Sequence, residues 1–153
     1  MVFDSSCEDK GVSLNKQLLT GPDLMNSLLG VLMRFRQENI GVICDVEQMF
    51  HSFHVLRFLL FKNNNPSQEI VEYRMTVHLF GNGPRPAVAM FGMRKTAEDG
   101  EERYGTNVKR FICRYFYVDD GLTSRSTDKE AIDLVKGAQA TLATANLRLH
   151  KVA

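Results

Sequence analysis

The sequence lacks tryptophan altogether, has three cysteines and contains no long apolar run. Because Cys7, Cys44 and Cys113 are odd in number and far apart, they argue against a disulfide framework or a zinc site and are compatible with a reducing compartment. No apolar stretch approaches the roughly 18 residues of a membrane span. The N-terminus also lacks the basic-then-apolar pattern of a signal peptide. We therefore expect an intracellular protein with no membrane partner.

An excess of charge of one sign is lacking too, because 19 basic and 18 acidic residues give a formal net charge of +1. The molecule as a whole offers no strong field for a polyanion, so a nucleic-acid site would have to be a local patch. With 153 residues, 44% of them hydrophobic, the chain can bury one core of ordinary domain size. We predict a single domain over residues 1–153.

The most informative stretch is an apolar and aromatic run at 111–118 that ends in Asp119, Asp120 and Gly121. Aromatic and β-branched residues favour a strand, and Asp-Gly is a strong hairpin signal, so we predict a β-hairpin with both aspartates at its tip. A solvated turn would explain the two acids equally well. If they face a groove instead, their repulsion requires a counter-cation, most simply a divalent metal with oxygen ligands.

A third acid, Asp45, follows the apolar run at 39–44. Gln48 comes three residues later, so Asp45 could simply be the N-cap of a helix with a reciprocal partner. His51 and His54 could share one face of that helix, but two histidines without a third ligand are more typical of packing or of the surface than of a metal site.

Periodicity and turn chemistry predict the remaining elements. We expect three helices: one of about four turns that opens at 20–23, one over 87–98 and one over 128–144. The third begins with a capping box of Thr127 and Glu130. We also expect an antiparallel pair of strands at 56–61 and 70–79. The loop at 80–86 carries two glycines and two prolines. It would let a ligand approach the main chain, although a plain connection explains it as well.

If the segment 56–105 is treated as an insertion, an α+β order remains, that of a ferredoxin-like βαββαβ unit. Its elements are strand 39–45, helix 46–54, strand 111–118, strand 121–125, helix 128–144 and strand 146–152. In that topology the first and third elements lie side by side at the centre of an antiparallel sheet. Asp45 would then meet Asp119 and Asp120 at one sheet edge, and three converging carboxylates suggest a two-cation site.

These motifs resemble those of reverse transcriptases. Tyr117-Val118-Asp119-Asp120 looks like the Y-x-D-D motif, and the segment 45–51 looks like the first aspartate motif, in which an aromatic residue follows the aspartate by five. Taken with the segments 2–6, 19–24, 32–37 and 72–77, the sequence resembles the polyproteins of Pao/BEL-type long-terminal-repeat retrotransposons over nearly the whole chain and in the same order.

The resemblance implies an RNA-directed DNA polymerase palm with an inserted hairpin and helix segment that forms part of the fingers. The implied partners are an RNA or DNA template-primer and deoxynucleoside triphosphates. The implied cofactor is a pair of Mg²⁺ ions, with Mn²⁺ as a substitute. One ion would lower the pKa of the primer 3′ hydroxyl and the other would steady the triphosphate. Asp45, Asp119 and Asp120 are the implied catalytic residues, and the same three with Val46 are the implied metal-binding positions.

The resemblance also implies contacts with the nucleotide and the primer. Phe50 matches the aromatic residue that closes the sugar pocket and excludes a ribose 2′ hydroxyl. Phe80 and Gly81 match the loop that lines the incoming nucleotide and the template, and Tyr117 matches the strand beneath the primer end. Lys151 falls near the lysine proposed to protonate the leaving pyrophosphate.

The sequence departs from the usual pattern of the family that it resembles in several places. The segment near Val55 is shorter, and Gly83 and Arg85 stand where small hydroxyl residues are usual, so Arg85 could add a phosphate contact or cause a clash. The arginine that grips the triphosphate would lie just before Met1. The sequence does not contain thumb, RNase H, integrase or protease regions. The resemblance implies that these regions are partners within one polyprotein. We therefore expect a fragment that is truncated at both ends.

Two other hypotheses stay open. The chain could be a catalytically inactive retroelement remnant that acts at most as a nucleic-acid-binding module through Arg74, Arg85, Arg94 and Lys95. It could also be a nucleotide cyclase built on a similar unit, which needs no template groove and leaves the loop at 80–86 without a role.

Overall fold

A computed structural model of the protein describes residues 4–51, 57–74 and 82–153. The strands of this part are β1 (Ile40–Glu47), β2 (Arg57–Phe61), β3 (Ile70–Arg74), β4 (Phe116–Tyr117), β5 (Asp120–Arg125) and β6 (Arg148–His150). The helices are α1 (Leu14–Gln17), α2 (Leu28–Phe35), α3 (Arg85–Asp99), α4 (Glu101–Tyr104), α5 (Thr106–Arg114) and α6 (Asp128–Ala143). Short 3₁₀ turns follow β1 at Met49–His51 and β2 at Lys62–Asn64.

Two antiparallel sheets organise these elements into a mixed α/β structure. The larger sheet has the order β4-β5-β1-β6, so β1 and β5 are its central pair. The smaller one is the ribbon β2-β3, in which the rings of Phe58 and Tyr73 stack at 5.6 Å. This ribbon confirms the predicted antiparallel pair for residues 57–61 and 70–74. The assignment of the whole as a polymerase palm stays a prediction.

One face of the large sheet carries the hydrophobic core. Val42, Cys44 and Val46 alternate along β1 with more exposed residues and are at most 4% exposed. Their face packs against α5 and α6, and α3 packs on those two helices. On the other face, α2 covers the far end of the strand pair, where Phe35 lies against Gly41 and the Ser124 hydroxyl donates to the Arg34 carbonyl. The end of that face that carries Asp45 and Asp120 is therefore not covered by the core helices.

The predicted strand over 111–118 is wrong for its first half. Residues 111–114 are the last turn of α5, and only Phe116 and Tyr117 belong to β4. The buried residues Val108, Phe111, Ile112 and Tyr115 follow the spacing of one helix face, so burying that face on the core outweighs the strand preference of single aromatic residues.

The prediction of a helix over 46–54 capped by Asp45 is also wrong in the described residues. β1 continues through Asp45 to Glu47, and a single 3₁₀ turn follows it. Asp45 pairs with β5 on one side and with β6 on the other. Pairing on both sides satisfies more main-chain groups than a cap could, which explains why the local capping signal is overridden. The positions 52–54 of the predicted helix, including His54, lie outside the described residues.

The helix that was predicted to open at 20–23 begins later and is shorter. The Asp23 carboxylate accepts a bond from the Met25 amide at 2.9 Å and forms a local turn. The cap is instead Ser27, whose hydroxyl accepts a bond from the Gly30 amide at 3.4 Å. The resulting helix, α2, has about two turns in place of the predicted four.

The C-terminal elements agree better with their predictions. The Thr127 hydroxyl accepts a bond from the Glu130 amide at 3.3 Å, which confirms half of the predicted capping box, and α6 spans nearly the predicted range. The last strand, β6, is shorter than the predicted 146–152. None of the helices in the described ranges is long and apolar enough to cross a membrane.

Candidate active site

Four side chains lie in register across the large sheet. Tyr117 pairs with Asp120, Asp120 with Asp45, and Asp45 with His150. Directly paired residues of antiparallel strands project from the same face of a sheet. Tyr117, Asp120, Asp45 and His150 therefore form one row on the face opposite the core, and we call them the cross-strand row. Folding thus brings Asp45 beside the predicted hairpin although the two are far apart in the sequence.

The third predicted carboxylate, Asp119, lies in the turn next to this row. The pairing of Tyr117 with Asp120 leaves Val118 and Asp119 as the two turn residues. The Asp119 carbonyl accepts a bond from the Val46 amide at 3.0 Å, which ties the turn to β1. The side chain of Val46 is 1% exposed in the core, so this predicted metal position could contribute only a main-chain oxygen.

The predicted strand 121–125 is confirmed, but the hairpin tip lies one residue earlier than predicted, because Asp120 belongs to β5. The Asp-Gly turn signal was therefore misleading for Gly121. It lies inside β5 and not in the turn. A Cβ at this position would come within 2.6 Å of the Phe116 ring and 2.7 Å of the Cys44 sulfur. The missing side chain therefore lets β5 approach β1 and β4 closely. The residue that turns the chain is Val118, which adopts a φ of 57°, a conformation that is strained for a β-branched residue.

The electrostatics of the row are dominated by negative charge. The pKa of Asp120 is raised above its ordinary value by partial burial and then by the charges of Asp119 and Asp45, while Lys151 opposes the shift. Like charges that face each other directly across a strand pair destabilise a sheet. The site consequently favours any cation that can neutralise two or three carboxylates at once.

Lys151 supplies one such positive charge. Its Nζ lies 3.1 Å from Oδ2 of Asp45, and its side chain is 72% exposed, against 24% for that of Asp45. The backbone of Lys151 has a φ of 49°, in the left-handed region. Next to it, Nδ1 of His150 lies 3.1 Å from the Asp45 carbonyl. The sequence predicted a site role for Lys151 but did not indicate His150, whose place depends on the register of β6.

The described residues contain no group of three or more His, Cys, Asp and Glu side chains placed to hold a metal ion. The chemistry of the row nevertheless fits one. Asp45, Asp119 and Asp120 offer only carboxylate oxygens, which Mg²⁺ and Mn²⁺ prefer. Burial contributes most to the raised pKa of Asp120, and the charges of Asp119 and Asp45 add to it although Lys151 opposes them. A divalent ion is the kind of ligand that would relieve the repulsion among these carboxylates.

Backbone strain is concentrated around the same row. Among the described residues other than glycine and asparagine, positive φ angles occur at Gln48, Val118, Lys151 and Lys10. The first three directly follow the strand ends that carry Asp45, Tyr117 and His150. Strained non-glycine residues persist where the surrounding structure holds them, and they cluster at functional sites.

The predicted aromatic residue Phe50 lies in the 3₁₀ turn after β1 and packs against the edge of the core. The guanidinium carbon of Arg85 is 4.2 Å from the centre of its ring. Burial lowers the pKa of Arg85. This arginine therefore has an aromatic contact that was not predicted from the sequence. Phe80 and Gly81 of the predicted nucleotide loop lie outside the described residues.

Of the cations in the binding-module hypothesis, Arg94 and Lys95 are engaged within the protein, as is Arg85 through its contact with Phe50. Nη2 of Arg94 donates to the Leu24 carbonyl at 2.5 Å. Nζ of Lys95 forms an ion pair with Asp99 at 2.6 Å. A phosphate that binds Arg94 or Lys95 would have to compete with these contacts, more with the part-buried one of Arg94 than with the exposed ion pair of Lys95.

No protein-family model matches the sequence, and no curated protein matches it significantly. The resemblance to reverse transcriptases therefore stays a prediction that rests on the motifs.

Proposed function

We propose that the chain is the palm region of an RNA-directed DNA polymerase of the Pao/BEL retrotransposon type, which transfers deoxynucleotides to a primer 3′ hydroxyl. The single observation that carries the proposal is the register of the central strand pair, in which Asp45 faces Asp120 directly. Asp119 in the adjoining turn adds a third carboxylate whose charge acts on the same group. Two acids on one sheet face and a third in the adjoining turn, drawn from two distant segments, are the kind of carboxylate cluster that two-metal nucleotidyl transfer uses.

Each residue of the site has a role in this proposal. Asp45, Asp119 and Asp120 would hold two Mg²⁺ ions, with a main-chain oxygen of Val46 as a further ligand. Bound Mg²⁺ would lower the pKa of the attacking hydroxyl and neutralise the triphosphate. Tyr117 lies in the cross-strand row beside Asp120, where it supports the primer end.

The partners in this proposal are a template-primer duplex and deoxynucleoside triphosphates, together with the RNase H, integrase and protease regions of a polyprotein. With 19 basic against 18 acidic residues, the chain gains little from its overall charge when it binds a duplex. Because phosphate contacts supply most of the grip on nucleic acids, we expect binding to be weak and to weaken further as salt is added.

A primer-extension assay with purified protein tests the proposal. We expect incorporation of deoxynucleotides on an RNA template with Mg²⁺ or Mn²⁺ and its loss in Asp119→Asn and in Asp45→Asn. The matched control is Asp133→Asn, which changes an exposed aspartate on α6 and should leave incorporation unchanged. Incorporation that survives both site substitutions would contradict the proposal, and so would the absence of incorporation with either metal.

A further inference from the structure

Arg85 occupies a position that is unfavourable for a cation. It is the first residue of α3, and the first turn of that helix contains no acidic residue. Because the N-terminus of a helix carries a partial positive charge, a cation there is destabilised. A residue that breaks a local rule in this way needs a compensating contact, and such sites are often functional.

One contact that can compensate for this position is the ring of Phe50. The distance of 4.2 Å between the Arg85 guanidinium carbon and the ring centre is shorter than the 5.2 Å of Arg103 and Tyr104. A guanidinium at this distance from an aromatic face is attracted by the electron density of the ring, and more strongly where water is excluded. Arg85 is partly buried, so this contact lies between the exposed and the fully desolvated cases.

The ring of Phe50 is thereby held from two sides. It packs against the edge of the hydrophobic core, while Arg85 covers its ring. The turn that carries Phe50 contacts α3 and comes directly after the end of β1, five residues beyond Asp45. Two contacts on one ring restrict its rotation, so Arg85 helps to fix the orientation of Phe50 in the turn that follows the strand of Asp45.

We infer that Arg85 is a positioning residue for nucleotide selection: its guanidinium holds the ring of Phe50 in the orientation that leaves no room for a sugar 2′ hydroxyl. The inference rests on the proposed function, because it assigns the space beside Phe50 to the sugar of the incoming nucleotide. It gives Arg85 a role different from the phosphate contact or clash that the sequence suggested.

The test compares deoxynucleotide and ribonucleotide binding in the ternary complex. A primer that ends in a dideoxynucleotide prevents bond formation, so the affinities for dATP and ATP can be measured with Mg²⁺ present and without turnover. We expect Arg85→Ala to reduce the preference for dATP by about 2- to 30-fold, the range that corresponds to loss of one cation–π contact. Arg85→Lys should retain most of the preference, and Arg85→Met, which keeps the length without the charge, should not.

The matched control is Arg103→Ala, which removes another stacked arginine from α4 and should leave the preference unchanged. A second measurement is the coupling free energy between Arg85→Ala and Phe50→Leu in urea unfolding, which needs no nucleotide. A preference for dATP that is the same in Arg85→Ala and wild type, or a coupling free energy of zero, would overturn the inference while the proposed function stands. A protein that forms no ternary complex in any variant would overturn both.

Discussion

Lys151 and Asp45 form an ion pair across the end of the central sheet, with 3.1 Å between Nζ and Oδ2. The Asp45 carboxylate of the cross-strand row therefore already has a cation of the chain itself as its partner. Since Lys151 is largely exposed, this ion pair has little surrounding protein to hold it. A divalent ion that binds Asp45 would have to displace the ammonium or share the carboxylate with it.

We therefore expect Lys151→Met to bind Mn²⁺ more tightly than the wild type does. Exposed ion pairs contribute up to about 1 kcal/mol, which corresponds to a decrease in the dissociation constant of up to about fivefold. Calorimetric titration with Mn²⁺ measures this dissociation constant in the variant and in the wild type. The control is Lys95→Met, because Lys95 forms its ion pair with Asp99 on α3 and should not affect Mn²⁺. Weaker Mn²⁺ binding in Lys151→Met would mean that the lysine supports the metal site and does not compete with it.

Asp120 should make the folded protein less stable when it is ionised. Its pKa is raised in the folded state from the ordinary value of 3.8, so the folded state binds more protons than the unfolded state between the two values. The contribution of this group to the free energy of unfolding is therefore largest at low pH, and it is lost as the pH rises through the pKa of the folded state.

Replacing Asp120 with a neutral residue should remove the loss of stability that its ionisation causes. We expect Asp120→Asn to raise the free energy of unfolding at pH 7 by less than about 1 kcal/mol, because the group is exposed and solvent screens its repulsion. Below pH 3.8 the gain should disappear. Urea unfolding at both pH values measures it, with Asp133→Asn as the variant that should show no such pH-dependent difference. A loss of stability at pH 7 would show that Asp120 makes a favourable contact that outweighs the repulsion.

Gly121→Ala should destabilise the hairpin that carries the acids. The added methyl group would meet the Phe116 ring and the Cys44 sulfur at 2.6 and 2.7 Å, and overpacking of this kind costs about 1–3 kcal/mol. Thermal and urea unfolding measure the loss. Gly30→Ala in α2 is the matched control, since its nearest neighbour is the flexible Arg34 side chain at 3.4 Å and alanine favours a helix. Equal stability of the two variants would contradict close packing at Gly121.

The three cysteines should differ in reactivity. Burial raises the pKa of Cys44 to about 12, and its side chain is 0% exposed, whereas Cys7 is exposed. Because the thiolate is the reactive form, iodoacetamide at pH 8 should modify Cys7 first and leave Cys44 intact. Peptide mass spectrometry identifies the modified positions, and in denaturing urea all three should react. Rapid modification of Cys44 in the native protein would show that β1 and β5 separate readily.

Local signals predicted the C-terminal half of the fold best. Three signals in this half act over a few residues each: the hydroxyl cap at Thr127, the helical spacing of α6 and the alternation of apolar residues around β6. The structure contains the cap, the helix and the strand. Local signals were misleading where two of them overlapped. Residues 111–114 carry both strand-favouring side chains and a helical spacing, and the core selects the helix because it buries Phe111 and Ile112 completely.

The candidate site was predictable in its residue types but not in its contacts. The local sequence around Asp45 indicates a helix cap, and Asp120-Gly121 indicates a turn. In the folded protein Asp45 lies in β1, and Asp120 and Gly121 lie in β5. The stacking of Arg85 on Phe50 joins the start of α3 to the end of β1. No pattern within either segment indicates it.

By itself, the sequence determined which residue types were available: a run of acids beside aromatic residues, a glycine next to them and a balanced overall charge. It also determined α6 and its cap, because those depend on neighbours within one or two helical turns. The tertiary structure decided that Asp45 pairs with Asp120 and forms an ion pair with Lys151. It also decided that the Phe116 ring packs against Gly121, where a side chain would not fit. These relationships follow from the register of strands that are distant in the sequence, and register is set by burying one face of the whole sheet at once.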